Sequence, residues 1–217
     1  MADYILVIGN KTYSSWSLRP WLALRVAGIP FREEVIPLDQ ADTRDRILAH
    51  SGAGTVPVLR HGDLTVWESL AILEYIAERH PDAGLWPDSQ ASRAVARSVA
   101  AEMHAGFAAL RRAMPMNTRR DRPAPDIAPE VQADINRIAT LWRDCRAYHR
   151  AGGPFLFGRF TIADAMFAPV ASRFRTYGVP LDEVCAGYVE AVHTLPAMVE
   201  WCADAAREPW VVDRSEI

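Results

Sequence analysis

Tyr4-Ile5-Leu6-Val7-Ile8-Gly9, followed after Asn10-Lys11-Thr12-Tyr13 by Ser14-Ser15-Trp16-Ser17-Leu18-Arg19-Pro20, is the stretch that decides the fold. An unbroken apolar run ended by glycine reads as a strand covered on both faces. From Ser14 the period changes. Leu18, Trp21, Leu22 and Val26 recur at i, i+3, i+4 and i+8, the spacing of one helical face, and Gly28 closes the helix. Proline is tolerated within a first turn, so Pro20 predicts a helix start between Ser15 and Arg19. A buried strand feeding directly into a helix opens an α/β unit.

The pattern continues outward from there. Residues 31–38 read as a second strand, residues 41–50 as a short charged helix, and Ser51-Gly52-Ala53-Gly54 as a loop. Val56-Pro57-Val58-Leu59 meets Leu64-Thr65-Val66 across His61-Gly62-Asp63, a short hairpin connection. A helix then runs from Glu68 with Leu70, Ile72, Leu73 and Ile76 apolar. The order is β-α-β, then β-β-α. Past a Pro/Gly/Asp-bearing linker at 81–88 the strand signal fades. Val95, Val99, Met103, Phe107, Leu110 and Met114 predict one long amphipathic helix, ended by a loop containing the prolines at 115, 123, 125 and 129. Val131, Ile135, Ile138, Leu141, Trp142 and Cys145 mark a second helix, which Gly152-Gly153-Pro154 breaks. Further helices are expected over 162–174, 181–192 and Pro196–Ala206. The reading is an α/β domain over residues 1–80 and an all-helical domain over 90–217.

Composition narrows the function. The 217 residues are 50% hydrophobic and 24% charged, with net charge -3. Such a balance offers no general attraction to nucleic-acid backbones or anionic membranes. The local clusters Arg111-Arg112 and Arg119-Arg120 with Arg122 read as a solvated helix end and a loop. No apolar run is long enough to cross a bilayer, and Met1-Ala2-Asp3-Tyr4 has no basic-then-apolar leader pattern, so a cytoplasmic protein is expected. Cys145, Cys185 and Cys202 are odd in number and widely spaced, which argues against a disulfide scaffold or a dithiol motif. The histidines never fall at i, i+4, and no metal is expected.

Ser14, Ser15 and Ser17 surround the first turn of a helix. Their plain reading is N-capping. The functional reading uses the unsatisfied N–H groups and partial positive charge at a helix N-terminus, which stabilise an anion such as a thiolate. A hydroxyl there donates a hydrogen bond to the sulfur and lowers its pKa further. Val56-Pro57 opens a strand, where proline removes a ladder donor. It is either an ordinary trans proline or a cis peptide that leaves the Val56 backbone free for an extended ligand. Glu68-Ser69 begins a helix, as cap chemistry or as a paired site. In a paired site Ser69 and the helix N-terminus take a carboxylate and Glu68 an ammonium, the two groups of an amino acid. Thr161-Ile162-Ala163-Asp164 is a capping box that nucleates a buried helix. Met103, Phe107 and Met114 read as helical core or an apolar pocket. His104 lies off that stripe.

Four pieces in register resemble the cytosolic glutathione transferase superfamily over nearly the whole chain. They are the strand followed by Ser14-Ser15-Trp16-Ser17-Leu18-Arg19, then Val56-Pro57-Val58-Leu59, then Glu68-Ser69-Leu70-Ala71-Ile72 with Glu74-Tyr75, and Phe160-Thr161-Ile162-Ala163-Asp164. The first is similar to the zeta class (maleylacetoacetate isomerase-like), whose turn reads S-S-C-x-W-R. The resemblance implies a thioredoxin-like N-terminal domain with an all-α C-terminal domain, glutathione as co-substrate and a homodimer. It implies Ser14, with Ser15 beside it, as the activator of the glutathione thiol, and Arg19 matches the arginine of that turn. Val56 and a cis Pro57 would bind the cysteinyl backbone, and Glu68 and Ser69 the γ-glutamyl end. Trp16, Met103, His104 and Phe107 are candidates for the electrophile pocket. Trp16 stands where the zeta class has cysteine, and Thr55 where a cation usually precedes the cis proline. Arg173 and Arg175 lie near the position of a substrate-carboxylate arginine, while Tyr4 and Tyr13 keep a tyrosine mechanism open. A glutathione-dependent isomerase and a non-catalytic binding module of the same fold are the alternatives.

Overall fold

The computed structural model describes residues 4–121, 126–149 and 152–216. Arg122, Pro123 and Pro125 of the expected loop lie outside them. The first unit contains β1 (Tyr4–Ile8), α1 (Ser15–Val26), β2 (Phe31–Val35), α2 (Thr43–Leu48), β3 (Val58–His61), β4 (Leu64–Trp67) and α3 (Ser69–Arg79). The sheet order is β2-β1-β3-β4, with β1 parallel to β2 and antiparallel to β3. Tyr4, Leu6 and Ile8 face the main core, whereas Val7 joins Ile36, Ile47 and Val58 on the opposite face. Both faces of β1 are covered, which is why its sequence is apolar without alternation.

From Gln90 onward the described residues form helices: α4 (Gln90–Ala105), α5 (Ala108–Ala113), α6 (Pro129–Tyr148), α7 (Ile162–Thr176), α8 (Glu183–His193) and α9 (Pro196–Ala206). Helix α1 packs on α3, α7 and α9. One apolar cluster therefore runs from the sheet through α1 into the helical unit.

Several expectations are corrected. The long helix over 95–114 is broken. Gly106 is extended (φ -99, ψ -169) and Phe107 left-handed (φ 62, ψ 41), and a side chain at Gly106 would meet the Glu102 carbonyl at 2.8 Å. The apolar stripe survives because both pieces face the same core. Pro20 stands inside α1, not in its first turn, so the Trp16 carbonyl receives no helical N–H from it. The second strand stops at Val35, just before Pro37, which cannot donate to a ladder. The hairpin turn is only Gly62-Asp63, with Gly62 at φ 58.

The capping box is present at α7. Asp164 accepts from the Leu156 amide (3.0 Å), the Thr161 amide (2.8 Å) and the Thr161 hydroxyl (3.1 Å), all buried. Asp164→Ala should therefore cost about 2–4 kcal/mol in urea unfolding, because two buried amides lose their acceptor. Burial pushes the Asp164 carboxyl up to about 6, against 3.8 for the free group. The folded chain thus holds this proton more tightly than the unfolded chain. The associated stability is fully present below 3.8 and is lost as pH rises through about 6. Asp164→Asn should flatten that segment of the unfolding midpoint against pH.

Candidate functional site

Helices α1 and α3 present their N-termini without acidic residues in the first turn and without a side-chain cap hydrogen bond. By contrast, α4 and α8 are capped by Ser89 and Asp182. Ser14 occupies the N-cap position of α1, yet its hydroxyl pairs with the Ser17 hydroxyl at 2.7 Å. Ser17 also accepts from the Gly9 amide at 3.1 Å, so Ser17 ties the turn back to β1. Plain capping therefore does not describe Ser14. The orphan N–H groups of both helices retain their preference for an anion.

A cleft of about 300 Å³ is lined by Trp16, Thr55, Val56, Pro57, Glu68, Ser69 and His104. It brings together the expected tripeptide-binding residues from two separated segments, with two of the electrophile-pocket candidates, Trp16 from α1 and His104 from the helical unit. The Val56–Pro57 peptide is cis, and Val58 begins β3 directly after it. Glu68 has φ 67, a conformation costly for a residue with a side chain, at about 1–3 kcal/mol. It turns the chain from β4 into α3 and leaves its own side chain exposed while burying Ser69 completely.

Not every expected residue reaches the cleft. Ser14 and Ser15 are buried and are not among its lining. Met103 and Phe107 belong to the core, where the stripe of α4 and α5 faces inward, and they do not line the cleft either. The Tyr13 hydroxyl donates to Glu216 at 2.6 Å and accepts from Arg119 at 2.7 Å, while the Tyr4 hydroxyl pairs with His80 at 3.0 Å. Both tyrosines are engaged elsewhere. Cys145 and Cys185 are buried, and burial pushes both thiols up to about 12. Burial also raises Cys202.

Around Trp16 lies a feature the sequence reading missed. The Arg19 guanidinium lies over the Trp16 ring, 4.1 Å from its centroid, and that of Arg111 at 4.7 Å, with His104 edge-on at 5.2 Å. Arg111 is half-buried and bonded to the Gly106 carbonyl (3.0 Å) and His104 carbonyl (3.1 Å), so it is not the solvated helix end expected. Arg173 is buried with Met114 and Pro169 carbonyls as partners. Among the described residues none of Arg19, Arg111 and Arg173 has a carboxylate within ion-pair distance. Arg19 is 1% exposed and makes a long hydrogen bond to the Ser69 hydroxyl at 3.5 Å, and among the described residues its Nε has no hydrogen-bond partner. Burial, then the charges of Arg111 and Arg173, hold it well below the ordinary arginine value. Burial, then Arg19, also lowers His104, whose Nε2 lies 3.6 Å from Glu68. At neutral pH that contact is to an uncharged ring.

Thr55 brings no cation to the cleft. The Arg44 guanidinium of α2, however, packs beside Gly54, with a terminal nitrogen 3.5 Å from where a side chain at Gly54 would begin. The sequence signal for it was only a charged helix.

The profile for the glutathione S-transferase N-terminal domain matches residues 13–79, and that for the C-terminal domain residues 90–204. The chain belongs to the glutathione S-transferase family. It is 25% identical to "Glutathione S-transferase L2, chloroplastic" of Arabidopsis thaliana over 161 residues, 72% of this chain and 49% of that protein. It is 30% identical to "Probable maleylacetoacetate isomerase" of Caenorhabditis elegans over 107 residues, 49% of this chain and 50% of that protein. Against maize "Protein IN2-1" the identity is 23% over 76% of this chain and 63% of the relative. The chain thus spans about half to two thirds of the length of these curated relatives. Among solved structures, a bacterial zeta-class maleyl pyruvate isomerase superposes with TM-score 0.72 at 22% identity, covering 95% of this chain and 100% of that one. A Burkholderia glutathione transferase homolog with bound glutathione gives 0.70 at 23%, covering 94% and 97%. Both share the fold.

Replacing a buried, unpaired arginine by an apolar side chain of similar length removes a desolvation cost. Arg19→Met should leave the unfolding midpoint unchanged or raise stability by about 1 kcal/mol or more. The same variant should bind glutathione more weakly by calorimetry. A large loss of stability would mean that Arg19 serves the fold instead of a ligand.

Proposed function

We propose that this chain is a glutathione transferase that binds glutathione in the cleft and ionises its thiol for addition to an electrophilic small molecule. The observation carrying this reading is the convergence of Thr55, Val56, Pro57, Glu68 and Ser69 on one cleft beside an anion-seeking helix end. The γ-glutamyl carboxylate would sit on the Ser69 hydroxyl and the N-terminus of α3, with the Arg19 charge behind it. Glu68 would take the ammonium, and the Val56 backbone would pair with the cysteinyl unit. Arg44 supplies the cation for the glycyl carboxylate that Thr55 lacks.

The sulfur then lies toward the N-terminus of α1. The Ser14 hydroxyl rotates from Ser17 to donate to the thiolate, with Ser15 as the second candidate, and the thiol proton leaves to solvent. The thiolate forms the bond to carbon, so the serine activates and does not attack. Each unit by which the thiol pKa falls represents about 1.4 kcal/mol of preferential thiolate stabilisation. No metal takes part in this scheme. Trp16 and His104 border the space left for the electrophile. A homodimer in the cytoplasm remains our expectation from the family resemblance.

The unpaired arginines favour a second reading, a glutathione-dependent isomerase of an acidic substrate. Unsaturated dicarboxylates would then be turned over faster than neutral aryl halides.

Retention on immobilised glutathione with aryl-halide conjugation supports a transferase, and absence of both indicates a non-catalytic module. Ser14→Ala should raise the bound thiol pKa by about one unit and lower kcat about tenfold, leaving glutathione affinity nearly unchanged. If Ser15→Ala moves the thiol and Ser14→Ala does not, the activating hydroxyl is Ser15. Arg44→Ala should raise the KM for glutathione about tenfold, the loss of one charge-assisted contact, with kcat unaltered.

A further inference from the structure

The loop that delivers Ser14 is held from both units. Residues 10–13 are buried; Asn10 accepts from the Leu38 amide at 2.6 Å within its own unit, while Lys11, Thr12 and Tyr13 turn polar atoms toward the end of the helical unit. The half-buried Glu208, just past α9, accepts from the Lys11 amide at 2.6 Å, the Thr12 amide at 3.0 Å and the Thr12 hydroxyl at 2.8 Å. Trp201 donates its indole N–H to the Lys11 carbonyl at 2.8 Å. The buried Lys11 ammonium bridges Glu33 (2.9 Å) and Asp204 (2.6 Å), 4.8 Å from the Trp21 ring centroid and 5.5 Å from that of Trp201. The Ser14 amide closes this loop on the Asn10 carbonyl at 2.8 Å. Two successive N–H groups aimed at one carboxylate form an anion-binding nest. Its occupant here belongs to the other unit.

We propose that Glu208 is a positioning residue for the thiol-activating turn, so that the segment after α9 sets where the Ser14 hydroxyl stands. This rests on the reading of that turn given above. Glu208 touches no reacting atom. It fixes Lys11 and Thr12, and through them the Asn10–Ser14 closure. A carboxylate is required because an amide offers one acceptor oxygen and turns an NH2 group toward a donor.

The test measures the pKa of enzyme-bound glutathione, by thiolate ultraviolet absorbance against pH, in Glu208→Gln, Ser14→Ala and the double variant. Glu200→Gln is the control: it removes the same charge from an exposed carboxylate paired only with Arg25, at 2.9 Å. Glu208→Gln should raise the bound thiol pKa by about half a unit and lower kcat about threefold, with glutathione affinity nearly unchanged. Glu208→Asp should recover part of the shift, and Glu200→Gln should do nothing. Because Glu208 acts through the turn, the glutamine substitution should add little in the Ser14→Ala background. An unshifted thiol in Glu208→Gln overturns the proposal, as does an equal further loss in the double variant. If Ser14→Ala alone leaves the thiol unmoved, the role of Ser14 is wrong. A shift in Glu208→Gln would then still support Glu208, with the turn acting through another hydroxyl.

Discussion

Leu18, Trp21 and Leu22 have no exposed surface, and they place α1 against α3, α7 and α9 at once. Side chains of this size stabilise by about 1.5–3 kcal/mol each when fully buried. The helix whose N-terminus faces the cleft is therefore fixed by the same core that joins sheet to helical unit. Its position cannot drift without separating the two. The hydrogen bond from Gly9 to Ser17 and the indole bond from Trp21 to Glu33 (2.6 Å) then set its axial and rotational register.

Against this rigid background the charge around Trp16 is anomalous. Among the described residues, Arg19, Arg111 and Arg173 have no carboxylate within ion-pair distance, and the desolvation of each is only partly offset, by carbonyls at Arg111 and Arg173 and by the Ser69 hydroxyl at Arg19. Stacking on an indole recovers some of it, about 0.5–2 kcal/mol for a desolvated pair. In the function proposed above, the anion that offsets this cost arrives with the ligand. Arg19 and Arg111 reach the cleft only through Trp16, which stands between them and the open space, and Arg19 also through Ser69.

The strand-to-helix order was legible because β1, α1, the hairpin and α3 each carry a local period or a glycine that marks their end. The break at Gly106-Phe107 was not, since an i, i+3, i+4 stripe continues through two helices that pack on one core. Glu68, Ser69, Val56 and Pro57 were legible through cap chemistry, an odd proline and family resemblance. Arg19 was matched to the arginine of the zeta-like turn but given no role, and Arg111 and Arg44 were not read as site residues. Stacking across an indole and approach to a loop are tertiary facts, and an arginine at a helix end looks alike whether solvated or buried. The engagement of Ser14 with Ser17 depends on a rotamer, and spacing does not encode it.

The placement of the cysteines has a consequence for the chemistry proposed above. Cys145 and Cys185 are sealed in apolar packing and their thiols stay protonated, and no cysteine stands near the cleft. In the proposed chemistry the sole reactive sulfur in that cleft arrives with the co-substrate and departs with the product. Such a catalyst would spend a replaceable thiol on each turnover while Cys145 and Cys185 stay buried and Cys202 lies away from that cleft.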